Sequence, residues 1–197
     1  MLINSESFNR FPILSVHMGG RIAEVTGVII DPDKLKVAAF YVDGPEVGRE
    51  AGNILQSKDI REYSSIGMIV DSSDEFINED DVVALQKIIE IGFSLEGKTV
   101  ETRKGTRLGR VTGYTVDSEG FIIQQLVVRR PLLKSFVDPE LLISRSEIVK
   151  VTDDKVVVRD EESKIRKKAM TEDFVPNFVN PFREPKLSTA DTKSLDE

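Results

Sequence analysis

The chain has 197 residues, no cysteine, one histidine and a formal net charge of -7 at pH 7. The lack of cysteine excludes disulfides, thiolate metal sites and cysteine catalysis, and a single histidine excludes metal centres that need several imidazoles. The negative net charge argues against nucleic-acid binding by the chain as a whole. Because the start of the chain lacks the pattern of a secretory signal and the longest apolar runs have six residues, we expect a cytoplasmic protein without membrane insertion.

Residues 1–79 are predicted to form a first module of short strands separated by turns. β-Branched and aromatic residues concentrate at 25–30 and 37–42, which favours strands there. His17 lies next to a predicted tight turn at Gly19-Gly20. Since no nucleophile or carboxylate accompanies His17 in a catalytic pattern, we expect a surface role for this residue.

A connector helix is predicted between about Asp80 and Ile91, within a segment spanning residues 80–94. Apolar residues recur there at helical spacing, the acidic residues before them favour a helix N-terminus, and Gly92 is a typical stop. We expect the apolar stripe to pack against one or both modules. The acidic residues at 71–75 and 78–81 lack the order of an EF-hand loop, so no metal site is predicted.

Residues 95–160 are predicted to form a second module that repeats the first. Arg21 to Asp31 overlies Arg107 to Asp117 at an offset of 86 positions, and both segments contain Val-Thr-Gly and end in Asp. The offset holds through 42 and 128, and after a two-residue insertion it becomes 88. Apolar positions agree over about sixty residues, so an internal repeat explains the chain better than chance does.

Gly27 and Gly113 occupy equivalent positions within predicted strands. A glycine inside a strand indicates a bulge or a barrel corner where a side chain would not fit. Replacing Gly113 by Val is therefore expected to cost on the order of 1–3 kcal/mol of stability.

Both copies resemble the PRC-barrel family. The resemblance rests on the order of the motifs, with Leu108-Gly109-Arg110-Val111 after a turn in the second copy and Gly20-Arg21-Ile22-Ala23-Glu24-Val25 in the first. Ala23 departs from the family pattern, which usually has Gly there. The resemblance implies a mainly β protein with two small β-barrel modules, one connector helix and a C-terminal tail. It also implies a role in assembly, and it carries over no catalytic residue.

Charge is unevenly distributed between the two copies. Residues 1–81 carry 7 basic and 15 acidic side chains, whereas residues 95–159 carry 12 basic and 9 acidic ones. Such asymmetry can mark a phosphate-facing patch. The favoured interpretation is that modules of opposite charge face each other or that charges at strand ends keep the sheet edges soluble. The candidate anion-binding residues are Arg103, Lys104, Arg107, Arg129 and Arg130.

Residues 161–197 read as a partly disordered tail with a cluster of phenylalanines. Phe174, Phe178 and Phe182 are candidate partner-binding residues, because burial of each ring is worth roughly 1.5–3 kcal/mol. Pro176 and Pro181 disfavour a helix, so we expect an extended strip. Docking on the chain's own modules and docking on another protein both stay open.

The sequence favours a non-enzymatic adaptor or assembly protein that binds a protein partner through its modules and its tail. It contains no phosphate-binding loop, no serine-hydrolase motif and no predicted cofactor. The alternative is a ribosome- or RNA-associated factor that uses the basic residues of the second copy, and a barrel that binds a small molecule is least favoured. The identity of the partner and self-association stay open.

Overall fold

The computed structural model describes residues 1–48, 52–131 and 140–160, and this part of the chain is mainly β, as predicted. The strands are, in chain order, β1 (Leu2–Asn4), β2 (Pro12–Ser15), β3 (Gly20–Asp31), β4 (Lys36–Asp43), β5 (Ile54–Gln56), β6 (Glu62–Tyr63), β7 (Met68–Val70), β8 (Phe76–Ile77), β9 (Thr99–Thr102), β10 (Arg107–Asp117), β11 (Ile123–Arg129), β12 (Glu140–Ser144), β13 (Ile148–Val151) and β14 (Lys155–Val158). One helix, α1 (Val83–Ile91), lies between β8 and β9. The predicted anchor residues Phe174, Phe178 and Phe182 lie outside the described residues.

The strands form two sheets. The first sheet has the order β6-β7-β2-β3-β4-β5-β8, and the second has the order β13-β14-β9-β10-β11-β12 with β1 paired to β10. In each sheet one pair is parallel, β2 with β7 and β9 with β14, and the other pairs are antiparallel. Over the described residues neither sheet closes into a barrel, so the mainly β fold with two sheets is confirmed and the two-barrel architecture is not.

The central strands of the two sheets share one order, one set of directions and one register. Val25 lies opposite Val42 in the first sheet, and Val111 lies opposite Val128 in the second, 86 positions further along. The order β6-β7-β2-β3-β4-β5 in the first sheet corresponds to β13-β14-β9-β10-β11-β12 in the second. Equivalent positions in sequence therefore occupy equivalent positions in the sheets.

The first strand departs from this correspondence. β1 pairs with β10 through Leu2 opposite Asp117 and Asn4 opposite Thr115, although residues 1–79 were assigned to the first module. The reason is that β9 covers only the beginning of β10, from 107 to 110, and leaves the same edge open near 115–117. The N-terminal residues fill this edge and satisfy its backbone hydrogen bonds.

The predicted bulges at Gly27 and Gly113 are confirmed. The register shifts between Val25 and Gly27, and between Val111 and Gly113. A Cβ atom on Gly27 would lie 3.1 Å from Cδ2 of Tyr41, and one on Gly113 would lie 3.2 Å from Oγ of Ser5. Close packing rather than a positive φ thus favours glycine at both bulges.

The two sheets share one hydrophobic core. Buried side chains from both sheets belong to a single cluster, in which Phe40 of β4 meets Phe121 of the turn between β10 and β11 with ring centroids 5.6 Å apart. The rings are nearly perpendicular, which is a favourable aromatic geometry. Burial of apolar side chains from both sheets in one cluster stabilises each sheet in the presence of the other.

The hairpin β3–β4 touches the hairpin β10–β11 at their turns, and we name this meeting point the tip contact. The amide of Val37 donates to the carbonyl of Phe121, and the amide of Ile123 donates to the carbonyl of Leu35, each at 2.9 Å. Leu35 and Phe121 both have a positive φ, of 46° and 54°. Because Leu35 and Phe121 are themselves 86 positions apart, each hairpin makes the same hydrogen bond to the other.

Arg145 reinforces the tip contact from the 3₁₀ turn that follows β12. Its guanidinium donates to the carbonyls of Lys34 at 2.7 Å, Leu35 at 3.0 Å and Ile123 at 3.3 Å. These acceptors belong to both hairpins, so one side chain joins the two sheets. The equivalent residue of the first copy is Ser57, which is too short to do the same.

The helix α1 begins at Val83, later than predicted, because residues 79–81 form a 3₁₀ turn closed by a capping box. It ends at Ile91 as predicted, and Gly92 follows in the left-handed conformation. Leu85 is buried in a small cluster with Ile29, Ala39 and Ile54 of the first sheet. None of the described helices is long and apolar enough to cross a membrane.

We predict that Arg145→Ala destabilises the protein by about 2–3 kcal/mol, because it removes charge-assisted hydrogen bonds and leaves carbonyl groups less well satisfied. Thermal or chemical unfolding measures this loss. Lys150→Ala, at an exposed position of β13, is the matched control and is expected to change stability by about 0.5 kcal/mol or less. Equal stabilities of the two variants would contradict the role of Arg145.

Candidate interaction surface

Two arginines lie directly opposite each other on the outer side of the second sheet. The register pairs Arg110 of β10 with Arg129 of β11, and both are exposed. Their neighbours Val111 and Val128 form the next pair and are buried, so alternation directs the two arginines away from the core. We name Arg110 and Arg129 the basic pair.

The predicted anion-binding residues lie at the same end of the second sheet as the basic pair. Arg103 and Lys104 belong to the turn that joins β9 to β10, and Arg107 begins β10. β9 and β11 both run antiparallel to β10, so the beginning of β10 and the end of β11 lie at one end of the sheet. Arg129 ends β11 and Arg130 follows it, half-buried.

The predicted set omits Arg110, which the structure places closest to Arg129 along the sheet. The sequence did indicate that Arg110 faces outward, because it precedes a valine that the repeat aligns with a core strand position. What the sequence did not specify was which residues of β10 and β11 face each other on either side of the bulge between Val111 and Gly113. Without that register, the two arginines cannot be recognised as a pair.

The positive charge of the basic pair is partly compensated by its surroundings. Arg110 donates to the carbonyl of Gly97 at 3.1 Å, and Glu140 of β12 lies opposite Arg129. Of the ion pairs formed within residues 1–48, 52–131 and 140–160, none includes Arg110 or Arg129. Like charges directly opposite each other destabilise a sheet, so a bound negative group would stabilise this one.

The first sheet carries the opposite charge at the equivalent positions. Glu24 of β3 lies opposite Asp43 of β4, and these residues are each 86 positions before Arg110 and Arg129. Asp43 is exposed, and Glu24 is half-buried and bonded to Arg21. We name Glu24 and Asp43 the acidic pair.

An exposed apolar residue lies near the basic pair on the outer side of the second sheet. Leu142 of β12 is 56% exposed and lies opposite Val127. The equivalent residues of the first sheet are Ile54 and Tyr41, and Ile54 is fully buried in the cluster that contains Leu85 of α1. Within the described residues, the helix covers the outer side of the first sheet only.

Gly109 brings the end of β11 close to β10. A Cβ atom at this position would lie 2.2 Å from the carbonyl oxygen of Arg129, which no side chain can tolerate without movement of the backbone. The first copy has Ala23 here, where Gly44 faces it without a side chain. Gly109 thus positions the backbone of Arg129.

The ionisable groups with shifted pKa values lie elsewhere and have structural causes. Burial raises the pKa of Tyr114 well above its usual range. Burial alone would also raise the pKa of Asp117, but hydrogen bonds from Gly120, Gln124 and Ile122 lower it below its usual value. Asp117 therefore stays ionised and orders the turn before β11. Within the described ranges, no group of three potential ligand side chains could hold a metal ion.

A comparison with known protein families finds no family model that matches this chain, and no curated protein matches it.

We predict that Gly109→Ala destabilises the protein by about 1–3 kcal/mol, because the methyl group displaces the backbone at Arg129. Gly20→Ala, at the start of β3, is the matched control, since its Cβ would meet nothing within 4 Å. The two variants are compared by chemical unfolding. If Gly109→Ala is as stable as Gly20→Ala, the close approach of the two strands does not require glycine.

Proposed function

We propose that this chain is a cytoplasmic, non-enzymatic adaptor or assembly protein, built from two modules of the PRC-barrel type. It binds a protein partner through the outer side of the second sheet, with Phe174, Phe178 and Phe182 as further anchors. The observation that carries the proposal is the contrast between the two outer sides. On the first sheet Ile54 is covered by α1, whereas on the second sheet the equivalent Leu142 is exposed near the basic pair.

The composition of this side defines the chemistry of the partner. Protein interfaces combine apolar contact with charged groups that fix orientation and accelerate encounter. Leu142 and Val127 offer the apolar contact, and Arg110 and Arg129 offer the positive charge. The partner is therefore expected to present an apolar group flanked by carboxylates.

The non-enzymatic part of the proposal rests on the residues available. The chain has no cysteine and one histidine, and His17 lies in an exposed turn with its amide bonded to the carbonyl of Asp71 at 3.0 Å. The buried Tyr114 has a raised pKa, which keeps its hydroxyl protonated at neutral pH. Neither arrangement supplies an activated nucleophile or a general base.

The proposal is tested by capturing partners from native, nuclease-treated lysate with three forms of the tagged chain. We expect the wild type to retain a protein that Arg110→Glu/Arg129→Glu loses, because the reversed charges repel a carboxylate-bearing partner. Lys87→Glu/Lys150→Glu makes the same change in net charge at exposed positions of α1 and β13, and it should retain that protein. Equal capture by all three forms would contradict the use of this surface.

A second candidate function is association with RNA or the ribosome. It is favoured by the placement of Arg103, Lys104 and Arg107 at the same end of the sheet as the basic pair. Phosphate contacts release counterions, so RNA binding should weaken steeply as salt rises.

For this candidate, neutralising the basic pair with Arg110→Gln/Arg129→Gln should lower the slope of the salt dependence by about 2. Binding of a single-stranded RNA is measured by fluorescence anisotropy from low to high salt. No binding at low salt, or capture from lysate that is insensitive to nuclease, would contradict the RNA function and favour the protein partner.

A further inference from the structure

We infer that the basic pair of one chain binds the acidic pair of a second copy of this chain. The second copy is thus the protein partner that binds the outer side of the second sheet, and the inference rests on the proposed function of that side. It names the partner by its chemistry: two carboxylates held at a fixed spacing on an antiparallel strand pair. The chain carries this arrangement itself, as Glu24 and Asp43.

The two pairs match in geometry because they occupy the same register. Arg110 lies directly opposite Arg129, and Glu24 lies directly opposite Asp43. Residues directly opposite in an antiparallel pair have Cβ atoms about 4.5–5.5 Å apart. Two carboxylates at one such spacing can therefore face two guanidinium groups at the same spacing.

Each pair is also destabilising by itself, and this favours their association. Like charges directly opposite each other repel across the strands, in one sheet with negative sign and in the other with positive sign. Arg21 offsets part of the repulsion in the acidic pair through its bond to Glu24, and Glu140, directly opposite Arg129, offsets part of it in the basic pair. When two copies join, each like-charged pair gains two opposite charges, so the repulsion in both sheets is compensated at once.

The ion pairs described within one chain do not join the acidic pair to the basic pair. Each pair lies on its hairpin away from the tip contact. Glu24 is seven residues before the end of β3, and Arg110 is seven residues before the end of β10, or roughly 23 Å in an extended strand. Within the described residues of one chain, only Arg129 of the basic pair has a carboxylate residue, Glu140, directly opposite it, whereas the acidic pair of a second molecule can offer carboxylates to both arginines.

The net charges of the two parts of the chain favour a second molecule of this protein over a nucleic acid as the partner. The part of the chain that contains the acidic pair, residues 1–81, has a net charge of -8, and the part that contains the basic pair, residues 95–159, has a net charge of +3. A polyanion would be repelled by the first part while it bound the second. A second molecule of this protein can place its positive part against the negative part of the first, and its negative part against the positive one.

The first measurement is the mass of the purified chain by analytical ultracentrifugation, over a range of concentrations up to about 1 mM. At 50 mM salt we expect a mass above the 22.1 kDa of one chain, and at 500 mM salt we expect it to fall towards that value, because salt screens exposed charges. A mass of one chain at all concentrations in 50 mM salt would overturn the inference.

The second measurement uses two charge reversals and their mixture. Arg110→Glu/Arg129→Glu gives the chain two acidic pairs, and Glu24→Arg/Asp43→Arg gives it two basic pairs. Each variant alone should lose self-association by about tenfold or more, whereas an equimolar mixture should recover it, since every basic pair again meets an acidic pair. Self-association of either variant at the wild-type level, or a mixture that stays monomeric, would overturn the inference.

Folding of the variants is checked by circular dichroism and thermal unfolding. Both reversals place charges at a register that the other sheet already tolerates, so folding is expected. Should either reversal fail to fold, Arg110→Gln/Arg129→Gln replaces it, and wild-type self-association in this variant would overturn the inference. A monomeric wild type whose lysate partner still depends on Arg110 and Arg129 would overturn the inference and leave the proposed function standing.

Discussion

The tip contact is the interaction on which the rest of the structure depends. Two backbone hydrogen bonds of 2.9 Å join Leu35 to Ile123 and Val37 to Phe121, and the ring of Phe121 reaches Phe40 in the first sheet. A buried amide without a partner costs about 1–3 kcal/mol, so neither tip is satisfied in the absence of the other. The shared core follows from this contact, because it brings the apolar sides of the two sheets into one cluster.

The tip contact has a conformational cost, because Leu35 and Phe121 both have a positive φ. Burial of their side chains offsets this cost. A residue other than glycine in the left-handed conformation loses on the order of 1–3 kcal/mol. Leu35 is 8% exposed and Phe121 is 2% exposed, and full burial of such side chains returns roughly 1.5–3 kcal/mol each. Glycine would remove the strain and also the burial. The balance therefore favours large apolar residues at both tips, and equal positions in the repeat adopt equal conformations.

Local signals in the sequence predicted the strands, the bulges at Gly27 and Gly113, and the helix end at Gly92, because each depends on residues that are close in the chain. The pairing of β1 with β10 was not predicted, since it depends on an edge more than a hundred residues away. For the candidate surface, composition showed an excess of arginine in the second copy. It did not show that Arg110 lies opposite Arg129, because the register of β11 against β10 decides which residues face each other and the position of the bulge alone does not fix it.

The tip contact also leaves the outer sides of the two sheets free to differ. Its hydrogen bonds use backbone atoms, so they do not depend on the charge or size of side chains on the outer sides of the sheets. One outer side is covered by α1, and the other carries Leu142 exposed. At the same register position, the first sheet carries two acidic residues, Glu24 and Asp43, and the second sheet carries two basic ones, Arg110 and Arg129. Two sheets of one strand order and register, joined at their tips, can thus carry complementary charges on their outer sides without any change of fold.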